Sequence, residues 1–403
     1  MGSNKEYAGY KSFQYLEPGV DYVTFELAKE IGRVEPYVYP VNESEEELVQ
    51  QLLKESIVIS THDHPVLFPA DIHHVFEYNR QGRWFTAYEG LSVSHLDAVF
   101  DNLMDGIATI TSKHGWKWND IVFDIGMRLS DIAHQDFVIR AERVEDILNA
   151  HEAGKCALVL TLESLSPIEN EIDRIDVLYG LGIRSMGICY SESNMLGSGM
   201  RENQDGGLTA LGHEAVDRMN KLGVAIDISH AGDQSSLDVI EASKTPIFMS
   251  HAGARALWDT PRMKPDEVLQ ALAEKGGIIG VEAAPHTTLT KKHPEHGIEA
   301  IMEHFEHCVE LMGLEHVGFG PDTLYGDHVG LHHVFAAHLS MSRFQVRDQE
   351  QPEESEYVKG AENPSECFPN IVRWLVKHGY SNEEIKKVIG ENALRVLKAA
   401  WGL

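Results

Sequence analysis

The chain has 403 residues, of which 43% are hydrophobic and 24% are charged, a composition typical of a folded globular protein rather than a disordered chain. Its 63 acidic side chains outnumber 34 basic ones, so the formal net charge is −29. A surface of this charge repels phosphate backbones and anionic lipid head groups, which argues against a nucleic-acid or membrane partner.

Cysteine spacing and the N-terminal sequence indicate the compartment. Cys156, Cys189, Cys308 and Cys367 form no CxxC pair and match no disulfide framework or thiolate zinc site. Residues 1–19 lack the apolar segment of a signal peptide, and no run of about 20 apolar residues predicts a transmembrane helix. We therefore expect free thiols and a cytoplasmic protein.

The first 50 residues show no clear periodicity and are predicted to form an N-terminal extension packed on the main domain, residues 51–403. Ser44 and Glu47 fit a capping box that opens a helix through about Glu55. Beyond this helix the prediction depends on the alternation of short apolar runs with amphipathic stretches.

The alternating pattern predicts a barrel. Continuous apolar runs separated by helices indicate a parallel sheet covered by helices, and eight such units favour a closed (β/α)8 TIM-type barrel. An open doubly wound sheet would carry a glycine-rich turn after its first strand, where His62-Asp63-His64-Pro65 stands instead. The predicted strands are 57–60, 106–110, 157–162, 183–188, 224–228, 246–249, 277–281 and 316–320. The predicted helices between them include 143–153, 212–222, 235–242, 265–275 and 300–312.

After the eighth run comes a long, polar, histidine-rich segment, 323–366, which contains the acidic run 348–356. We predict that it is an insertion serving as a lid or a subunit contact. C-terminal helices then follow at about 369–378 and 381–396, separated by Gly379, which is typical of a helix stop.

Side chains suited to metal binding or acid–base chemistry follow several of the predicted strands. Because the active site of such a barrel lies at the carboxyl ends of its strands, these side chains are predicted to converge, although each alone also fits a core or turn position. Imidazole and carboxylate ligands suit Zn²⁺, Mn²⁺ or Co²⁺. The residues are His62 and His64 after the first run, Glu163 after the third, His230 after the fifth, His251 after the sixth and Asp322 after the eighth.

This set of side chains predicts two-metal hydrolysis of a peptide or amide bond. Four histidines can hold two cations in pairs, and Glu163 can bridge ions about 3.5–4 Å apart. Water between two such ions becomes hydroxide near neutral pH. Asp322 is predicted to pass the proton to the leaving amine.

Seven short motifs occur in a fixed order along the chain. They are HDHP (62–65), LES (162–164), GGLTALG (206–212), IDISH (226–230), MSHAGARAL (249–257), HVGFGPD (316–322) and IGENALRVL (389–397). In content, order and spacing these motifs resemble the membrane (renal) dipeptidases of the amidohydrolase superfamily over about residues 57–400.

The resemblance implies a zinc-dependent dipeptidase that cleaves L-Xaa-D-Xaa or L-Xaa-L-Xaa dipeptides and forms a homodimer. It implies His62 and His64 as ligands of the first metal, Glu163 as the bridging carboxylate, and His230 and His251 as ligands of the second. Asp322 matches the family's proton-transfer aspartate.

The resemblance also implies a substrate clamp. The family arginine that grips the terminal carboxylate of the substrate falls on Arg262, with Arg255 as the rival position. A guanidinium fork suits a carboxylate. A free dipeptide needs this clamp, whereas a lactone does not.

Three positions depart from the family pattern. His64 stands where the family has an aspartate, and Ser164-Leu165 replaces two glycines. Tyr190 replaces the histidine that steadies the oxyanion, and its phenol can still donate a hydrogen bond to the substrate. These departures bear on dipeptide specificity more than on metal-dependent hydrolysis. Two alternatives therefore stay open, namely a hydrolase for another amide, an N-acyl amino acid or a lactone, and a non-enzymatic barrel that retains metal for binding.

Overall fold

The computed structural model describes residues 5–103, 117–338 and 355–402. Its strands pair in parallel in the order β10-β1-β2-β4-β5-β6-β7-β8-β9, and β3 pairs with β4 outside this path. They are β1 Ile59–Leu67, β2 Ala98–Asn102, β3 Val138–Arg140, β4 Cys156–Leu162, β5 Ser185–Gly187, β6 Ala225–Asp227, β7 Phe248–Ala252, β8 Ile278–Val281, β9 Val317–Phe319 and β10 Leu324–Tyr325.

The last strand position of the barrel is divided between β9 and β10. β9 pairs with β8, and β10 pairs with β1, so together they close the sheet. Between them the backbone N–H of Asp322 donates to the carbonyl of His62 at 3.0 Å, and that of His64 donates to Thr323 at 2.8 Å. With β9 and β10 counted as one, the ring is the predicted (β/α)8 TIM-type barrel.

Helices connect the strands, and the five predicted between strands are present within two residues of their predicted ends. In the described ranges, none of the helices combines the length and apolarity needed to span a bilayer. The α-helices are Glu43–Glu55, Val75–Arg80, Tyr88–Val93, Trp118–Ile132, Val144–Glu152, Asp173–Gly180, Ala210–Leu222, Asp233–Ala242, Asp266–Glu274, Ile298–Met312, His328–His338, Pro364–Lys377, Asn382–Lys386 and Asn392–Trp401. Short 3₁₀ turns occur at Ile72–His74, Ser166–Ile168 and Leu314–His316.

Burial explains why these elements form where they do. Helix Ile298–Met312 buries Ile301, Phe305, Cys308 and Met312, which share one face at helical spacing, and it packs against β8 and β9. Strands β4 and β7 are buried along their whole length, as expected for the parallel strands of a barrel. The four cysteines are free, as the sequence predicted, and all four are buried.

The second barrel strand differs from the prediction. The predicted strand 106–110 lies outside the described residues, and β2, which pairs with β1 and β4, is Ala98–Asn102. Its apolar part covers only three residues before Asp101 and Asn102, both buried. So short a run is hard to distinguish from a loop by periodicity alone.

The predicted Ser44–Glu47 capping box is wrong. The Asn42 side chain accepts from the Glu45 backbone N–H at 3.0 Å, and the Glu45 carboxylate accepts from the Asn42 N–H at 2.8 Å. Asparagine caps a helix as well as serine, so residue type alone did not separate the two positions.

The C-terminal helices also differ in their limits. The first begins at Pro364, capped by Asn363, earlier than predicted. The second is divided by a π-helical segment, Lys387–Glu391, where Gly390 approaches the backbone of Ile57 so closely that an added Cβ would lie 1.9 Å from its oxygen. A π-bulge of this kind has no simple sequence signal.

An aspartate holds the N-terminal segment against the barrel. Asp131, fully buried, accepts from the Tyr10 hydroxyl at 2.8 Å, the Ser12 hydroxyl at 2.5 Å and the Phe13 backbone N–H at 2.8 Å. The Tyr88 hydroxyl donates to the same carboxylate at 3.0 Å. These bonds satisfy a buried charge, which would otherwise be costly.

Only part of the predicted insertion 323–366 is described. It contains β10 and the helix His328–His338, while residues 339–354, which include most of the acidic run 348–356, lie outside the described residues.

Candidate metal centre

The six predicted metal-binding or acid–base residues come together at the carboxyl ends of the strands. Five of them are buried, and the side chain of Asp322 is 15% exposed. His62 and His64 lie in β1, Glu163 follows β4, His230 follows β6, His251 lies in β7 and Asp322 lies between β9 and β10.

Glu163 stands between two groups of histidines. Its Oε1 lies 3.1 Å from Nε2 of His62, and its Oε2 lies 3.4 Å from Nε2 of His230. The Nε2 atoms of His230 and His251 are 3.0 Å apart. The side-chain amide of Asn102, at the end of β2, donates to Oε1 of Glu163 at 2.7 Å and fixes its orientation.

Asp322 faces the histidines of β1. Its Oδ1 lies 2.9 Å from Nε2 of His64 and 3.4 Å from Nε2 of His62. Burial alone would raise the pKa of Asp322, but its close contacts with the imidazoles of His62 and His64, and their charges, outweigh burial and hold this pKa well below its usual range. Burial likewise opposes a charged His62, yet Asp322 and Glu163 raise its pKa to about 9.

His230 and His251 stay neutral. Burial, together with the positive charges of Arg262 and His62, holds the pKa of both imidazoles well below the usual range. Neutral imidazole is the form that binds metals. The rings of His251 and His62 are stacked, with centroids 3.6 Å apart.

A hydrogen-bond chain fixes the tautomer of His251. The Ser250 hydroxyl donates to Asp227, so it accepts from Nδ1 of His251, at 2.9 Å. The lone pair of His251 is then on Nε2, which faces the site. Asp227 also accepts from the Ser229 hydroxyl at 2.6 Å and from the Ser250 backbone N–H at 3.0 Å. Such a carboxylate behind a histidine is typical of metal centres.

The side chains fit divalent cations. In the described ranges, two sets of ligand atoms lie within 4.8 Å of one another, and both contain His62. One set adds His64 and Asp322, and the other adds Glu163 and His251. Nε2 of His62 is buried and makes no hydrogen bond of good geometry, although two carboxylates are near it. A nitrogen so placed, among imidazoles and carboxylates, suits Zn²⁺, Mn²⁺ or Co²⁺.

The cavity beside these residues is small, about 70 Å³. Helix His328–His338 covers it, and His328, Leu331, His332 and Phe335 line it at the i, i+3, i+4 and i+7 spacing of one helix face. Burial, followed by the charge of a neighbouring histidine, lowers the pKa of His332 to about 4, so this imidazole is neutral. Part of the predicted insertion therefore lies over the site.

The two predicted arginines differ in position. Arg262 lines the cavity, where its guanidinium donates to the carbonyl of His251 at 2.6 Å and forms an ion pair with Glu282. Arg255 does not line it and pairs with Asp233 at 2.6 and 2.9 Å. The geometry therefore favours Arg262 over its rival.

Tyr190 lies three residues after β5 and lines the cavity, where its ring stacks on that of His230 with centroids 4.1 Å apart. Its role on the substrate stays a prediction. Sequence reasoning missed Asn102 and Glu282. Glu282 directly follows the apolar run of β8, just as Glu163 follows β4, so the same signal could have found it.

The sequence and the fold are similar to those of known proteins. Over 278 residues, 68% of this chain, the sequence is 27% identical to the dipeptidase tcpJ of Claviceps purpurea (strain 20.1), and it spans 58% of that protein's length. An amidohydrolase structure from Pseudomonas aeruginosa is 27% identical, with a TM-score of 0.70 over 88% of this chain and 99% of that one.

A more distant structure shares the fold. It is a metallo peptidase from Rhodobacter sphaeroides, liganded with a phosphinate mimic of L-Ala-D-Ala, with 18% identity and a TM-score of 0.65 over 86% of this chain and 100% of that one. The model of the membrane dipeptidase family, peptidase family M19, matches residues 47–343 and 354–401. The chain therefore belongs to the membrane dipeptidase family.

Proposed function

We propose that this protein is a metal-dependent hydrolase that cleaves the peptide or amide bond of dipeptides and related small molecules. The observation that carries the proposal is Glu163, whose two oxygens face imidazoles from two separate strand ends beside a cavity. Membership of the membrane dipeptidase family and the relatives named as dipeptidases support this chemistry.

Zinc, at two ions per chain, is the proposed cofactor, with Mn²⁺ or Co²⁺ as alternatives. His62 and His64 would hold one ion, His230 and His251 the other, and Glu163 would serve both. Bound divalent ions supply Lewis acidity and acidify water near neutral pH.

The chain's own acid and donors complete the reaction. Asp322 is ionised at neutral pH, so it can accept a proton at Oδ1 from the attacking water and pass it to the leaving amine. Tyr190 lines the cavity, where its phenol can donate to the carbonyl oxygen of the substrate. Helix His328–His338 covers the cavity and limits the access of bulk water.

A hydrolase for a different amide, such as an N-acyl amino acid, or for a lactone is the second candidate. The observation that favours it is the ion pair between Arg262 and Glu282, because a paired arginine is a weaker clamp for a free carboxylate than an unpaired one. His64 also favours this second candidate, because its imidazole stands where the family pattern has a carboxylate.

The test combines metal analysis with a substrate panel. Purified, undepleted protein is analysed by mass spectrometry for metal ions and then assayed with free dipeptides, N-acyl amino acids and a lactone, in the presence of Zn²⁺, Mn²⁺, Co²⁺ or a chelator. We expect bound divalent ions and amide turnover that the chelator abolishes. Metal-loaded protein that cleaves no substrate of the panel would refute the proposal.

The cytoplasmic location and the homodimer stay predictions. Light scattering coupled to size-exclusion chromatography tests the second, with an expected mass of twice 45.1 kDa. A monomer at micromolar concentration would contradict it.

A further inference from the structure

Arg262 is an enclosed cation in the wall of the cavity. Its side chain is 3% exposed, and its Nη atoms donate to the carbonyl oxygens of Ser229 at 3.2 Å and His251 at 2.6 Å. Two backbone acceptors therefore fix the plane of the guanidinium, which cannot swing out to meet a ligand in solution.

Glu282 forms an ion pair with Arg262 and neutralises its charge without lining the cavity itself. The acid is fully buried directly after β8, and one of its oxygens contacts Nη2 of Arg262. Its other oxygen accepts from the hydroxyls of Thr287 at 2.8 Å and Thr288 at 3.3 Å, so the carboxylate is held in place independently of the arginine. Glu282 does not line the cavity and offers no direct contact to a substrate.

A substrate carboxylate placed on Arg262 would be a second anion on one buried guanidinium. Like charges that share a buried site repel strongly, because little solvent screens them. Burial raises the pKa of Glu282, and the charge of Arg262 opposes this rise, so the negative charge of the acid depends on the arginine beside it.

Among the described residues that line the cavity, Arg262 is the only arginine and there is no lysine, so apart from the proposed metal ions the side chains supply no second permanent cation. The wall of the cavity includes the apolar side chains of Phe68, Leu324, Leu331 and Phe335 and the neutral imidazole of His332. Such a wall suits an uncharged, apolar group.

We propose that Glu282 determines specificity by cancelling the charge of Arg262, so that the enzyme prefers amide substrates whose C-terminal end is uncharged over dipeptides with a free carboxylate. The substrate class is an apolar dipeptide amide or a comparable blocked amide. This inference rests on the proposed amide hydrolysis.

The experiment compares two substrates that differ only in that charge. Zinc-loaded wild-type protein is assayed with L-Leu-L-Ala and with L-Leu-L-alaninamide, and release of leucine is followed for both. We expect a kcat/KM at least about tenfold higher for the amide, which corresponds to about 1.4 kcal/mol of discrimination. A preference for the free dipeptide would overturn the inference.

The variant Glu282→Gln keeps the shape of the side chain and removes its charge. We expect the ratio of the two kcat/KM values to shift at least about tenfold toward the free dipeptide. Because both substrates are assayed on one preparation, a partial loss of folded enzyme cancels in the ratio. The control Glu295→Gln alters an acid of the same loop whose side chain is 64% exposed, and it should leave the ratio unchanged.

Failure of the inference and failure of the proposed function give different results. Wild-type protein that cleaves the free dipeptide better than the amide, or a Glu282→Gln ratio equal to that of the wild type, leaves amide hydrolysis standing and removes the role of Glu282. Zinc-loaded protein that cleaves neither substrate nor any other amide of the panel removes the proposed function itself. If the Glu282→Gln variant does not fold, the inference is decided by the wild-type ratio of kcat/KM for the amide to kcat/KM for the free dipeptide.

Discussion

Oε1 of Glu163 and Nε2 of His62 lie 3.1 Å apart, although one residue follows β4 and the other lies in β1. The second oxygen of the same carboxylate is 3.4 Å from Nε2 of His230, which follows β6. One side chain thus connects ligands from both sides of the proposed metal pair, and its removal should affect both ions.

Glu163→Gln should lose metal and activity together. The amide is a poor ligand for two cations, so we expect bound metal to fall from about two ions per chain to one or fewer, and kcat/KM to fall at least about 1,000-fold. Metal analysis and a dipeptide assay measure the two effects. The control Glu171→Gln changes an exposed acid in the connection after β4. Full metal content in Glu163→Gln would contradict the bridging role.

Asp322→Asn should separate metal binding from proton transfer. Asp322 has φ 58°, in the left-handed region that asparagine also tolerates, so we expect an intact fold. The variant should keep most of its metal and lose about 100- to 10,000-fold in kcat, because an amide cannot carry the proton. Single-turnover kinetics on metal-loaded protein provide the measurement, and wild-type kcat would exclude Asp322 as the proton carrier.

Asp131→Ala should destabilise the whole protein. It removes the acceptor of buried hydroxyl and backbone donors from the N-terminal segment and from Tyr88, and we expect a loss of about 3 kcal/mol in the free energy of unfolding. Urea unfolding followed by circular dichroism gives the value. Asp136→Ala, at an exposed position nearby, is the matched control. Coincident unfolding curves for wild type and Asp131→Ala would show that the anchor contributes little.

Glu366→Gln should stabilise the protein at neutral and alkaline pH but not at acidic pH. Burial, followed by the nearby charge of Glu362, raises the pKa of Glu366 to about 7. The fold therefore favours the protonated acid, and this stability is present below pH 4.5 and is lost as the pH rises through 7.

Glutamine mimics the protonated form at every pH. We expect Glu366→Gln to match the wild type near pH 4.5 and to exceed it by about 1–3 kcal/mol at pH 8. Thermal unfolding at the two pH values checks this, with the exposed Glu391→Gln as the control. A difference that does not depend on pH would mean that ionisation of Glu366 is not its cause.

The sequence predicted the barrel and the proposed ligands for one reason, which is that both depend on residues close together in the chain. His62 and His64 share a strand face by the two-residue period, and Glu163 directly follows a long apolar run. β2 was not predicted, because its apolar part is too short to show a period, and Asn102 at its end was missed with it.

The supporting contacts could not be predicted, because they join residues that are distant in sequence. The bond that the Ser250 backbone N–H donates to Asp227 depends on how β6 and β7 lie side by side, and the pairing of Glu282 with Arg262 joins two separate loops. Nothing in the spacing of these residues indicates their partners. The start of helix Glu43–Glu55 was predicted wrongly for a different reason. Asparagine and serine cap a helix equally well, so residue type could not distinguish Asn42 from Ser44.

The break between β9 and β10 joins the closure of the barrel to the placement of Asp322. Gly320 leaves no room for a side chain, because a Cβ there would lie 1.9 Å from the oxygen of Ser250. The carboxylate of Asp63 accepts from the backbone N–H and the hydroxyl of Thr323, both at 2.7 Å, and ties this segment to β1. Thermal stability and turnover number therefore cannot be changed independently in this segment. A substitution that alters the backbone between β9 and β10 to stabilise the barrel would also displace Asp322.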